Sequence, residues 1–308
     1  MKIFIEIPTW LGDAVMTTPA IENLLKNYPD AKVTLFGSFV STEALKKHPQ
    51  VEKVVIDESK KSNFRLGWIY KTAKSLGEFD MSFTFRRRLY PKLMQFFLNS
   101  KEKFIYKRYT KEKRHQVLRY NDFINHSLRK NFEAGSLKLY HDKKRFPKKT
   151  LGINPGATYG SAKRWYPDRF ALVAKELSSK YDIVIFGSHA EKEMADEIER
   201  VLKENGITNY QNLAGKTSVK ELIELVAGLD LFITNDSGPM HLAAAYKIPT
   251  IALFGPTKWD ETSPWKNPDA KILRKELECS PCMKRVCPIK THECMKSIKV
   301  EDVLKEVK

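Results

Sequence analysis

Thr234-Asn235-Asp236-Ser237-Gly238-Pro239-Met240-His241 follows the apolar run Asp230-Leu231-Phe232-Ile233 and opens onto Leu242-Ala243-Ala244-Ala245. The run before it predicts a buried strand and the run after it a helix. A polar, glycine-containing turn between strand and helix collects backbone N–H groups and a helix N-terminus around one point. Unpaired amides and the helix dipole favour negative charge there, so the turn is predicted to receive a phosphate. A second such turn, Phe254-Gly255-Pro256-Thr257, follows the strand-like Thr250-Ile251-Ala252-Leu253. Two adjacent anion-receptive turns predict a diphosphate ligand. They also decide the fold, because strand–turn–helix units in series build a parallel sheet wrapped by helices.

The alternation extends in both directions. Behind the opening motif, strands are predicted over 150–154, 183–186, 231–234 and 250–254, with helices over 168–179, 191–205 and 219–227. In the first half, strands are predicted over 2–7, 32–36, 53–56 and 80–85, with helices around 20–26, 68–76 and 113–129. Pro19 marks either a helix start or a kink in a helix beginning near Asp13. The charged, aperiodic stretch from His141 to Lys149 contains Pro147 and reads as a linker. The expectation is two doubly wound α/β domains, 1–145 and 146–308, with parallel sheets. A cleft is expected between the carboxyl ends of those sheets, where ligands of such folds bind.

Charge separates the halves. Residues 1–150 hold 31 Lys and Arg against 15 Asp and Glu, whereas 151–308 hold 23 against 22. Charge confined to one half predicts that this half meets a polyanion and the other does not. A nucleic-acid partner is not expected, because the basic stretch lacks a recognisable nucleic-acid motif and the neutral half carries the phosphate turns. No apolar run reaches the roughly 20 residues of a membrane-spanning helix. Glu6 interrupts the short apolar N-terminus, so a cytoplasmic protein is expected.

All four cysteines lie late in the chain, as Cys279-Ser280-Pro281-Cys282, Cys287 and Cys294. With His292 nearby, the set has the residue types of a zinc site. The second pair lacks the usual two-residue spacing, and the default expectation is reduced thiols in a compact loop, with no metal.

Several chemistry-bearing residues fall at predicted strand ends. Asp13, after Gly12, is either a helix N-cap or a general base for a hydroxyl. Lys163 follows the turn Tyr159-Gly160-Ser161-Ala162 and is placed to neutralise a leaving diphosphate. Glu191, past Gly187, is either a helix-start acid or an acceptor for a ribose diol. His241 is either buried in its helix or turned towards phosphates at Ser237 and Gly238. Arg86, Arg87 and Arg88 follow the strand 80–85 in the basic half, where guanidinium groups match phosphates and carboxylates.

Together these motifs resemble the ADP-heptose:lipopolysaccharide heptosyltransferases of glycosyltransferase family 9, inverting enzymes of the GT-B type. The resemblance rests on Leu11-Gly12-Asp13, Pro155-Gly156, Lys163-Arg164-Trp165, and Gly187 with Glu191. It continues through Leu213-Ala214-Gly215-Lys216-Thr217, Asn235-Asp236-Ser237-Gly238 with His241, and Phe254-Gly255-Pro256-Thr257. The tail from Cys279 to Met295 favours the second transferase of the pathway over the first. The resemblance implies transfer of heptose from ADP-L-glycero-D-manno-heptose to the first heptose of the lipopolysaccharide inner core. Asp13 would be the base. Lys163, the amides of Ser237 and Gly238, and Thr158 would hold the diphosphate. Glu191 would hold the ribose, Thr217 would border the adenine, and Asp236 with His241 would contact the heptose or its phosphate. Acceptor binding by Arg86, Arg87 and Arg88 comes from charge and placement instead. No cofactor is implied beyond the donor substrate. The acceptor, an anionic glycolipid, implies peripheral association with the cytoplasmic face of the inner membrane.

Overall fold

The computed structural model describes residues 1–307. They form two compact units, which divide between Tyr140 and His141. The division falls at 140/141, whereas the sequence placed it at 145/146. The charged stretch after Tyr140 belongs to the second unit, because the Lys144 amide donates to the Glu224 carbonyl (2.9 Å) and His141 is buried.

The first unit holds β1 (Lys2–Glu6), β2 (Lys32–Gly37), β3 (Val51–Ile56), β4 (Glu78–Thr84) and β5 (Asn99–Ile105). All pairings are parallel, in the order β3-β2-β1-β4-β5. Phe4, Phe36 and Phe79 project onto one face, against Ile69 and Ala73 of helix Arg65–Ser75 and Met94 of helix Leu89–Phe97. Pro19 starts a helix: the helix Leu11–Met16 ends at Thr17, and Thr18–Asn27 carries Pro19 in its first turn.

The second unit holds β6 (Thr150–Asn154), β7 (Asp182–Ile185), β8 (Tyr210–Asn212), β9 (Leu231–Asn235), β10 (Thr250–Leu253) and β11 (Ala270–Leu273). This sheet is also parallel, ordered β11-β10-β9-β6-β7-β8. Read from β8, it repeats the order of the first sheet with one strand added. The core includes Trp165, Phe170, Ile185 and Ile233, and the tail contributes Met295, Ile298 and Val303. Trp165 is fully buried, and its indole N–H donates to the Ile298 carbonyl (3.0 Å).

In each sheet the connections run outward in opposite directions from a central pair, β1/β4 in the first and β6/β9 in the second. Loops leaving the carboxyl ends of such a pair diverge and leave a crevice, the usual ligand site of an open parallel sheet. Asp13 and Arg86–Arg88 follow β1 and β4. Pro155–Thr158 and Asp236–Gly238 follow β6 and β9.

Candidate active site

In the second unit, the crevice between β6 and β9 is laced by three hydrogen bonds. Asn235 Nδ2 donates to the Pro155 carbonyl (2.7 Å), Asn235 Oδ1 accepts from the Trp165 amide (3.0 Å), and Asn154 Nδ2 donates to Ser237 Oγ (3.3 Å). Both asparagines are buried, and together they tie the two turns and the Lys163 segment into one frame.

Lys163 Nζ pairs with Asp236 Oδ2 at 2.6 Å and donates to the Asp236 carbonyl at 3.2 Å. Thr257 Oγ1 donates to the same Asp236 oxygen at 2.6 Å. The Lys163 and Asp236 side chains are 13% and 5% exposed, so the ammonium is fixed at the mouth of the turn instead of ranging through solvent. Ser237 occupies the N-cap of helix Gly238–Ala245 but makes no side-chain cap bond. Its hydroxyl turns to Asn154 and Thr234 (3.2 Å). A first turn without a side-chain cap, beside a fixed cation, suits an anion. His241 is buried in this helix.

Glu191 is buried at the start of helix Lys192–Glu204. Its Oε2 accepts from the Ser188 amide (2.8 Å) and hydroxyl (2.9 Å) in a capping box. The other side of the carboxylate lies under Gly156, where a Cβ would meet Glu191 Oε1 at 2.1 Å. Gly156 is therefore glycine because a carboxylate passes beneath it. Thr217 sits in the loop before helix Val219–Val226, two residues beyond Gly215, whose Cβ position is 3.2 Å from His189 Nδ1. Thr158 is exposed on the loop after β6.

The second predicted anion turn is also held by the tail. A Cβ on Gly255 would meet Met295 Sδ at 2.4 Å, the Gly255 carbonyl accepts from Ser280 Oγ (2.6 Å), and the Pro256 carbonyl accepts from the Met283 amide (2.8 Å). This turn is packed against the tail and reaches the crevice through Thr257. All four cysteines are free thiols. Together with His292 they line a small cavity beside Ala162 and Pro256. Among the described residues, no three His, Cys, Asp or Glu side chains are grouped as metal ligands.

In the first unit, Trp10 is the N-cap of helix Leu11–Met16, and Asp13 lies in its first turn, half-buried. The N-cap alternative for Asp13 is thereby set aside, and the helix dipole favours its charge. Arg86 Nη1 pairs with Glu6 Oε1 (3.0 Å) and Asp57 Oδ2 (3.3 Å), while Arg87 and Arg88 are exposed. Glu6 also accepts from Thr84 Oγ1 (2.7 Å). Burial pushes the Glu6 carboxyl up to about 7, against the opposing pull of Arg86 and Thr84. Glu6, Asn154, Asn235 and Thr257 had no site role in the sequence reading, although Asn235 and Thr257 lie in its two predicted anion turns. Glu6 did leave a signal, as a lone acid inside the apolar run Ile3-Phe4-Ile5-Glu6-Ile7.

A model described as glycosyltransferase family 9 (heptosyltransferase) matches residues 59–292. The chain belongs to this family. A lipooligosaccharide heptosyltransferase 2 of Campylobacter jejuni is 45% identical, covering 100% of this chain and 98% of its own length. The lipopolysaccharide heptosyltransferase 2 of Escherichia coli is 27% identical over 89% and 88%. Among solved structures, E. coli ADP-heptose LPS heptosyltransferase II superposes with a TM-score of 0.82 at 23% identity, covering 100% of this chain and 97% of that one. E. coli heptosyltransferase WaaC with ADP superposes at 0.78 with 16% identity, over 99% and 98%. The family 9 chain is thus a glycosyltransferase of GT-B fold, and its doubly wound units are those expected from the sequence.

Proposed function

We propose that this chain transfers heptose from ADP-heptose to the first heptose of an anionic lipopolysaccharide or lipooligosaccharide inner core, with inversion at the anomeric carbon. The acceptor hydroxyl oxygen forms a bond to that carbon as the bond to the diphosphate oxygen breaks. The proton passes to Asp13, and the electron pair leaves with ADP. Lys163, the amides of Ser237 and Gly238, and Thr158 stabilise the charge that grows on the diphosphate. Glu191 holds the ribose, Thr217 borders the adenine, and Asp236 with His241 contacts the heptose or its phosphate. Arg87 and Arg88 bind acceptor phosphates or acidic sugars. Arg86 orders the loop after β4 through Glu6 and Asp57 and presents its remaining edge to the same anions. Because the acceptor is a glycolipid, the enzyme works in the cytoplasm, held peripherally at the inner membrane.

The observation that carries this reading is the Lys163 ammonium fixed on Asp236 beside a helix N-terminus without a side-chain cap, at the crevice between β6 and β9. The test replaces the base and leaves the donor side intact. Asp13→Ala is expected to lower kcat about 10²–10⁴-fold while ADP affinity stays within twofold to threefold, which calorimetry and product mass spectrometry would read. Transfer at a near wild-type rate would remove Asp13 from the mechanism.

A further inference from the structure

Two neighbouring helices of the first unit carry a surface that the transfer reaction does not use. Helices Arg65–Ser75 and Leu89–Phe97 pack together, sharing Trp68, Tyr90, Leu93 and Phe97 around a buried centre of Ile69, Ala73 and Met94. Many of their outward positions are apolar. Phe96 is 74% exposed, Phe64 68% and Leu89 65%, and Tyr70 and Leu66 are exposed beside them. Isolated exposed apolar residues are ordinary, but these fall together on two helices that pack against each other and on the segment leading into the first. Leu66 and Tyr70 stand one turn apart on one helix, and Leu89 and Phe96 two turns apart on the other, each pair sharing a face. The rings of Tyr70 and Phe97 lie 5.2 Å apart and those of Phe96 and Phe97 5.3 Å, which bridges the two helices. Phe64 lies across Gly67, where a Cβ would meet its ring at 2.4 Å.

The charge around this strip is predominantly positive. Residues 59–77 and 85–101 hold ten Lys and Arg and no Asp or Glu; of these, Lys61, Arg86 and Lys101 are paired with Glu58, with Glu6 and Asp57, and with Asp80. Lys71, Lys74 and Lys92 are exposed among the apolar residues. Lys103 Nζ caps the end of the second helix through the Phe96 (3.1 Å) and Leu98 (2.6 Å) carbonyls. An apolar strip with an excess of exposed cations among and beside its side chains is the pattern of elements that lie in the headgroup region of an anionic bilayer. A second copy of the face would meet it with like charge. A nucleic acid would leave Leu66 and Leu89 against phosphates.

We propose that the helices Arg65–Ser75 and Leu89–Phe97 form a membrane-contact face that seats the first unit on an anionic phospholipid surface. This rests on the reading of the acceptor as a glycolipid and names the part of the chain that meets the lipid around it. The test is flotation of the full chain with vesicles of phosphatidylethanolamine and phosphatidylglycerol, and with vesicles of phosphatidylcholine alone. Wild-type protein is expected to float with the anionic vesicles and to be released by salt. The double variant Leu89→Ser with Phe96→Ser is expected to lose at least about tenfold in vesicle affinity. Lys71→Glu with Lys74→Glu should weaken binding and flatten its salt dependence. Both variants should keep the wild-type unfolding temperature and transfer to a delipidated, water-soluble core acceptor. Equal flotation of wild type and the serine variant would overturn the proposal. So would equal binding to neutral vesicles, or a wild-type dimer that the serine variant breaks. An inactive wild-type protein that still floats would instead refute the transferase reading and leave the face standing.

Discussion

Gly156 shows how a single residue is set by what lies behind it. The Glu191 carboxylate fills the space a side chain would need, pinned from the other side by Ser188. Gly156→Ala is therefore expected to displace Glu191 and raise the KM for the donor at least about tenfold, with kcat changed less, if Glu191 holds the ribose. A KM within twofold of wild type would separate Glu191 from the donor. Glu22 is an equally particular residue with a structural purpose. Burial alone would raise its pKa, but His48, Tyr140 and Lys138 bring it down to about 2. Tyr140 donates to Oε1 (2.8 Å) and Lys138 to Oε2 (3.2 Å), which clamps the end of the first unit onto helix Thr18–Asn27. A lowered folded-state pKa contributes stability above the unfolded value near 4.5, and that stability is lost as pH falls towards 2. Glu22→Gln should cost about 2 kcal/mol at neutral pH, discounted for the solvent its oxygens still meet, and the gap to wild type should close on acidification. Denaturant melts at pH 7 and pH 3 measure this, and a gap that stays constant would contradict the clamp.

At the scale of elements, what the sequence hid has a common physical cause. The predicted strands are the inner ones and β3, while the strands it missed, β5, β8 and β11, are all at sheet edges. An inner strand of a parallel sheet is covered on both faces and reads as an apolar run, as Leu231-Phe232-Ile233 does. An edge strand such as Asn99-Ser100-Lys101-Glu102-Lys103-Phe104-Ile105 carries charges that discourage further pairing, and it reads as loop. The turns at the crevice were legible because Gly, Asp and Ser are needed locally. Their cross-bracing by Asn154, Asn235 and Thr257 was not, since those partners are fixed only by folding. The tail is the clearest case. It grips the Lys163 turn, with the Ala162 amide donating to the Arg285 carbonyl (3.0 Å) and Tyr159 Oη to the Met283 carbonyl (2.7 Å). A Cβ on Gly160 would lie 2.2 Å from that Arg285 oxygen, a backbone atom with no rotamer to retreat into. Gly160→Ala should therefore free the tail, making the bonds after Lys284 and Arg285 sensitive to trypsin and weakening ADP binding about tenfold. A tail as resistant as in wild type would show that the grip is dispensable.

At the scale of the molecule, two sheets that share a strand order over five strands serve different ends. The first carries most of the net positive charge, Asp13 and the basic apolar face. The second carries every polar bond described around the crevice between β6 and β9. Lys163, Asp236, Thr257, Asn154, Ser237, Glu191 and the tail that braces them all lie after residue 141, and their partners lie there too. The second unit also has its own core, into which the tail packs, and its first residues are anchored by the Lys144 to Glu224 bond. A unit that satisfies its own backbone and buries its own apolar surface is expected to fold alone. A fragment of residues 141–308 should give a single cooperative unfolding transition and bind ADP within about threefold of the full chain, while transferring no heptose. The complementary fragment 1–140 should not bind ADP. Calorimetric titration of the two fragments decides the matter. A folded 141–308 fragment that fails to bind ADP would mean that nucleotide recognition needs residues of the first unit, and the division of labour proposed for the two sheets would fall.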